Sequence, residues 1–135
     1  MVYGPGMAVE HPDLFVYGTL RFPEVLAALL GRVPPRAPAR VRGWRAAALA
    51  GHVYPGLVPA PGVITAGLVL SGLTAAERRV LDEFEGPEYE PRPLELTDGG
   101  RTCSYVWRGS GVLAEDWDAA AFAKCELPAY VARLA

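Results

Sequence analysis

Thr74-Ala75-Ala76-Glu77-Arg78-Arg79-Val80-Leu81-Asp82-Glu83-Phe84-Glu85-Gly86 reads as a helix with both of its ends written into it. What surrounds this helix decides the fold. Thr74 with Glu77 three places on makes a capping box, so the spacing predicts a helix from about Ala75 to Glu85, stopped by Gly86. Beyond it, Glu88 to Leu96 and Thr102 to Trp107 read as two strands of a hairpin turned by Asp98-Gly99-Gly100. Before it, Val63 to Ser71 is a mostly apolar strand with Gly67 in its middle. A helix that feeds an antiparallel hairpin is not the crossover of a βαβ unit. The order favours an α+β protein, a mixed sheet curled around its own core, over a doubly wound parallel sheet.

Working outward, Asp13 to Tyr17 reads as a strand and Gly18-Thr19-Leu20-Arg21-Phe22 as a turn. Pro23 then stands at the first position of a helix carrying Val25, Leu26, Leu29 and Leu30, with Gly31 just past its end. Val33 to Pro38 reads as a loop, and Ala39 to Leu49 as a strand carrying Trp44. The stretch Tyr54 to Gly62, with Pro55, Pro59 and Pro61, predicts irregular backbone. The tail predicts a helix over Glu115 to Cys125. A shorter one starts at Pro128 and sets Leu127, Tyr130, Val131 and Leu134 on one face. Residues 1–12, with Gly4-Pro5-Gly6, read as a flexible lead-in, and residues 13–135 as a single domain.

At 135 residues and 51% apolar, the chain can bury a real core. A net charge of −2 with scattered basic residues argues against nucleic acid as a partner. No apolar run approaches a membrane span and no signal-peptide pattern opens the chain, so a cytoplasmic location is expected. Cys103 and Cys125 form no ligand pattern and are expected to be small buried hydrophobes; His11 and His52 are also solitary. Neither a metal nor any other cofactor is expected.

Glu85 is the candidate for chemistry. A carboxylate at a helix C-terminus faces the negative end of the macrodipole, which disfavours ionisation and raises its proton affinity toward that of a useful base. Glu83 is its rival. Val80, Leu81 and Phe84 are expected to form the buried face of the helix, and the two glutamates flank that face at similar angles. Asp82 and Arg79 are expected to point to solvent. The Tyr17–Leu20 turn supplies the other half. Successive N–H groups leaving a strand end can cradle a carboxylate, although a plain strand-to-helix turn needs the same residues. Thr19 has no base near it in sequence and is not expected to act as a nucleophile.

The strand ending in Tyr17-Gly18-Thr19-Leu20, the run Leu81-Asp82-x-Phe84-Glu85-Gly86-x-x-Tyr89 and the strand Cys103-Ser104-Tyr105-Val106-Trp107 together resemble the γ-glutamylcyclotransferase-like family. That family includes γ-glutamylamine cyclotransferases and plant avirulence-induced proteins. The tail, with Trp117, Phe122 and Tyr130, looks like the plant-type and bacterial branch. The resemblance implies a small mixed β-barrel with flanking helices and a pocket at its mouth. It assigns Tyr17, Gly18, Thr19 and Leu20 to a substrate-binding loop and Glu85, not Glu83, to catalysis, and it puts Tyr105 in the pocket wall. The implied activity closes a γ-glutamyl group of a small-molecule substrate to 5-oxoproline with release of an amine, with no cofactor. The alternative it leaves is a non-catalytic module binding a γ-glutamyl or acidic metabolite or a protein partner. One departure stands out: many members carry an arginine two places after the tyrosine, whereas here Arg92 follows Tyr89 by three, on the opposite face of a strand.

Overall fold

A computed structural model describes residues 13–134; the lead-in expected over residues 1–12 lies outside them. The elements run β1 (Leu14–Val16), a 3₁₀ turn (Thr19–Arg21), α1 (Pro23–Leu30), β2 (Arg36–Leu49), β3 (Gly56–Leu70) and α2 (Ala75–Glu85). After these come β4 (Tyr89–Glu95), β5 (Arg101–Trp107), β6 (Val112–Asp116), α3 (Ala119–Cys125) and α4 (Leu127–Leu134). The fold is α+β, as expected: a mixed sheet of six strands in the order β4-β5-β1-β3-β2-β6, with four helices beside it.

The shortness of β1 shapes the sheet. β1 lies antiparallel to β3, with Leu14 opposite Leu70, and parallel to β5, with Leu14 opposite Cys103. Past Val16 the strand is gone, and β5 meets β3 directly through Leu57 and Val106. The chain that leaves β1 there must rise out of the sheet, which creates the turn at Gly18. At the other end the sheet curls until Leu96, just after β4, bridges Val41 of β2, and the Thr97 N–H donates to the Arg40 carbonyl at 2.9 Å. The result is a half-barrel.

Strand alternation sorts the core into two layers. Leu14 and Val16 face the helices with Leu20, Val25, Leu26, Leu70, Leu81 and Phe122. Phe15 and Tyr17 face the concave side of the sheet with Val41, Leu57, Leu94 and Val106. Gly67 lets β3 pass close to β1, since a Cβ there would sit 2.4 Å from the Val16 carbonyl oxygen.

The helix ends follow their sequence signals. Pro23 opens α1 and Gly31 closes it. Thr74 and Glu77 form the reciprocal capping box of α2, with the Glu77 N–H donating to Thr74 Oγ1 at 3.1 Å and the Thr74 N–H to Glu77 Oε1 at 3.0 Å. Arg32, just past α1, grips the same carboxylate through Nε at 2.6 Å and Nη2 at 2.7 Å, tying the two helices together and holding the Glu77 carboxyl down at about 2.

Several expectations are corrected. Gly56–Leu70 is one continuous strand in spite of Pro59 and Pro61. Pro59 lies opposite Trp44 of β2, but the pairing shifts register between Pro59 and Ile64, and Pro61 falls inside that irregularity, where it displaces no ladder partner. β2 begins at Arg36, inside the expected loop. Glu115 and Asp116, expected in a helix, end the edge strand β6, and α3 starts only at Ala119, where the Asp118 carboxylate accepts from the Ala121 N–H at 2.9 Å. Val80 is exposed, so the buried face of α2 is built by Arg78 and Leu81 with Phe84. Cys103 is buried but Cys125 is exposed. No helix among the described residues is long and apolar enough to cross a membrane.

Candidate active site

Where β1 stops, a cavity of about 210 Å³ opens between the turn, the end of α2 and the tail. Val16, Tyr17, Gly18, Thr19 and Leu20 form one wall, Tyr54 and Pro55 the rim, Phe84 and Glu85 the helix side, and Tyr89, Tyr105 and Tyr130 the remainder. Drug-sized pockets run to about 300–1,000 Å³, so this one takes a small metabolite fragment and leaves the rest of a larger ligand outside.

Five of the chain's six tyrosines line the cavity, and their hydroxyls are largely spoken for. Tyr17 donates to the Tyr105 carbonyl at 2.7 Å and accepts from the Leu57 N–H at 3.2 Å, which pins β1 to β5 and β3. Tyr89 donates to the Pro55 carbonyl at 2.6 Å, Tyr105 to Asp82 Oδ1 at 2.5 Å and Tyr130 to Thr19 Oγ1 at 3.4 Å. These rings offer their faces to a guest. Burial pushes the Tyr17, Tyr89, Tyr105 and Tyr130 hydroxyls above their usual range, so the wall is uncharged at neutral pH.

The turn supplies donors. The Arg21 N–H closes onto the Gly18 carbonyl at 3.0 Å and the Phe22 N–H onto the Thr19 carbonyl at 3.2 Å, but the Gly18, Thr19 and Leu20 N–H groups have no backbone acceptor among the described residues. Gly18 is required by close approach: a Cβ there would lie 2.7 Å from Pro55 Cγ.

Glu85 supplies the acid. It is the last residue of α2, and Gly86, at a φ of 81°, turns the chain away immediately after it. Its carboxyl has no hydrogen-bond donor among the described residues, and it is pushed up to about 8, first by burial and then by the charge of Asp82 one helical turn earlier. Desolvation and a like charge thus act on this carboxyl in the same direction as the helix end it occupies. Glu83 is exposed and absent from the cavity wall. Arg92 is likewise exposed and outside the cavity.

The structure thus gathers Tyr17, Gly18, Thr19, Leu20, Glu85 and Tyr105, which span most of the chain, around one cavity. It adds Tyr54, Pro55, Phe84, Tyr89 and Tyr130 to the wall and Asp82 behind it. Asp82 was expected in solvent. Its side chain is half-exposed, but it accepts from Tyr105. The available signal was its place three residues before Glu85, on the same side of the helix. No group of three or more histidine, cysteine or acidic side chains that could hold a metal exists among the described residues.

The model of the family described as "Gamma-glutamyl cyclotransferase, AIG2-like" matches residues 14–119. AIG2-like protein C of Arabidopsis thaliana is 41% identical over 113 residues, covering 78% of this chain and 66% of its own length. AIG2-like protein D of the same plant is 40% identical over 101 residues, covering 70% and 66%. The chain therefore spans just under two thirds of the length of these relatives. A solution structure of an Arabidopsis thaliana protein, 26% identical, superposes over 90% of this chain and 78% of its own with a TM-score of 0.68. A crystal structure of an uncharacterized Pyrococcus horikoshii protein shares the fold at 16% identity, with a TM-score of 0.59 over 88% and 96% of the two chains.

Proposed function

The chain belongs to the γ-glutamyl cyclotransferase, AIG2-like family, and on that premise we propose that it cyclises a γ-glutamyl group to 5-oxoproline and releases an amine. The observation that carries the reading is a single half-buried carboxyl, Glu85, with its proton affinity raised to about 8, on the wall of a small cavity that the Gly18, Thr19 and Leu20 backbone also lines.

In the proposed reaction the substrate's α-amine attacks its own γ-carbonyl carbon. A C–N bond closes the five-membered ring, the old amide C–N bond breaks, and the departing nitrogen takes a proton. Because both reactants belong to one molecule, holding the folded conformer does much of the work; well-oriented cases of this kind reach effective molarities of ~10⁵ M or more. The remaining obstacle is that an α-amine titrating at about 8 or above is an ammonium near neutrality. An ordinary carboxylate is too weak a base to take that proton, whereas one near 8 exchanges it at little cost. The ionised fraction of Glu85, which grows as pH approaches 8, would receive the proton and return it to the leaving nitrogen. The Gly18, Thr19 and Leu20 N–H groups would hold the α-carboxylate, and the Tyr105 and Tyr130 rings would enclose the methylenes.

The test is Glu85→Gln, which keeps size and polarity while removing basicity. Turnover should fall by ~10²-fold or more with folding intact. Full activity in that variant would sink the mechanism, and a loss confined to Glu83→Gln would move the role one glutamate back.

A further inference from the structure

Behind the cavity wall lies a group of side chains that the proposed reaction does not use. Arg78 is buried in the face of α2, its Nη2 3.8 Å from Cys103 Sγ on β5 and its guanidinium 5.9 Å from the centre of the Tyr105 ring. One turn on, Asp82 lies 3.8 Å from Arg78 Nε and takes the Tyr105 hydroxyl hydrogen at 2.5 Å. One further turn brings Glu85 to the cavity. Tyr105 is thus held at both ends: its backbone carbonyl receives the Tyr17 hydroxyl and its own hydroxyl is drawn to Asp82.

We propose that Asp82 is a positioning residue of this site, which fixes the Tyr105 ring as a wall of the cavity and sets the negative charge that Glu85 faces. The inference deepens the cyclotransferase reading and rests on it for its kinetic consequences. A ring free to rotate about its Cβ bond would sweep through the space a glutamyl chain must occupy. A charge-assisted hydrogen bond at the far end of the ring stops that motion.

Glu85 is faced by Tyr17 just past β1, Tyr54 from the loop before β3, Tyr89 from β4, Tyr130 from α4 and Asp82 from its own helix. The tyrosines are neutral at pH 7, so across the neutral range Asp82 supplies the charge that keeps the proton on Glu85. Arg78 moderates this by sitting against Asp82. The side chain of Asp82 is half-exposed, so solvent screens its charge in part and the coupling stays modest.

The experiment follows the Glu85 carboxyl directly, by ¹³C NMR titration of the wild-type protein, Asp82→Asn and Tyr105→Phe, alongside their kinetics. Asp82→Asn should lower the Glu85 titration midpoint by roughly 0.5–1 pH unit and shift the acid limb of the pH–rate profile with it. Tyr105→Phe keeps the charge but frees the ring. It should raise KM several-fold and leave the Glu85 midpoint no lower than in wild type. An unmoved midpoint in Asp82→Asn, in a variant that melts like wild type, overturns the proposal. So does a KM unchanged in Tyr105→Phe. If the wild-type protein turns over no γ-glutamyl compound, the cyclotransferase reading fails by itself, while the titration still decides whether Asp82 sets the charge at Glu85.

Discussion

A carboxylic acid buried without a donor is unfavourable to ionise, and that cost shows in stability as well as in chemistry. The folded protein keeps the Glu85 proton up to about 8, whereas the unfolded chain releases it near the ordinary value of 4.5. Between those values the folded state binds more protons, so this group's contribution is greatest below pH 4.5 and is lost as pH rises through 8. Glu85→Gln removes the effect. Melting of the two proteins from pH 5 to pH 9 should show the variant gaining on wild type up to about pH 8, with a constant difference above it. A difference that does not vary with pH would mean the carboxyl is solvated. Glu77 has the opposite sign: its stabilisation, set by Arg32, is present above 4.5 and is lost as pH falls toward 2. The helical wheel could not separate Glu83 from Glu85, because both flank the same face; only the neighbours on one flank, the tyrosines that line the cavity, make them different.

Elements whose ends carry their own chemistry were legible. The capping box and Gly86 fix α2 to the residue, Pro23 and Gly31 fix α1, and Asp98-Gly99-Gly100 fixes the β4–β5 hairpin. Elements decided by partners were not. Pro59 and Pro61 lie in β3 at a shift in its register with β2, and no local pattern announces that the strand resumes pairing at Ile64. Glu115 and Asp116 fall within the expected helix yet belong to β6, which pairs with β2, where Arg45 reaches the Leu113 carbonyl at 2.7 Å and Asp116 Oδ1 at 3.0 Å. The α4 helix is too short to persist alone, and it docks through Leu127, Tyr130, Val131 and Leu134 on the helical core. Tyr130 meets Phe122 at 5.2 Å between ring centres and Phe84 at 6.4 Å, and it also lines the cavity. The tail is thus cover and wall together. Tyr130→Ala should destabilise the fold by ~3 kcal/mol and raise KM in the folded fraction, while Tyr130→Phe should do neither to a comparable degree. An unchanged KM in Tyr130→Ala would leave the tail as cover alone.

At the scale of the whole molecule, the α+β class and the curled mixed sheet followed from element order, while the closing of the half-barrel did not. Closure depends on Leu96 bridging Val41 and on β5 taking over from β1 beside β3, pairings between segments far apart in sequence. The same geometry makes the cavity, since a three-residue β1 leaves the sheet early and opens the space that Glu85 and five tyrosines surround. Its size, its neutral wall and its one protonated carboxyl all bear on a single claim, that this space converts a γ-glutamyl group to 5-oxoproline. The direct measurement is 5-oxoproline release from a panel of γ-glutamyl compounds with different leaving amines, by wild-type protein and by Glu85→Gln, from pH 6 to pH 9. At least one compound should yield stoichiometric 5-oxoproline and free amine, with kcat/KM rising with pH and levelling near pH 8, and Glu85→Gln should lose ~10²-fold or more. No 5-oxoproline from any compound, or release that Glu85→Gln performs equally well, would contradict the account.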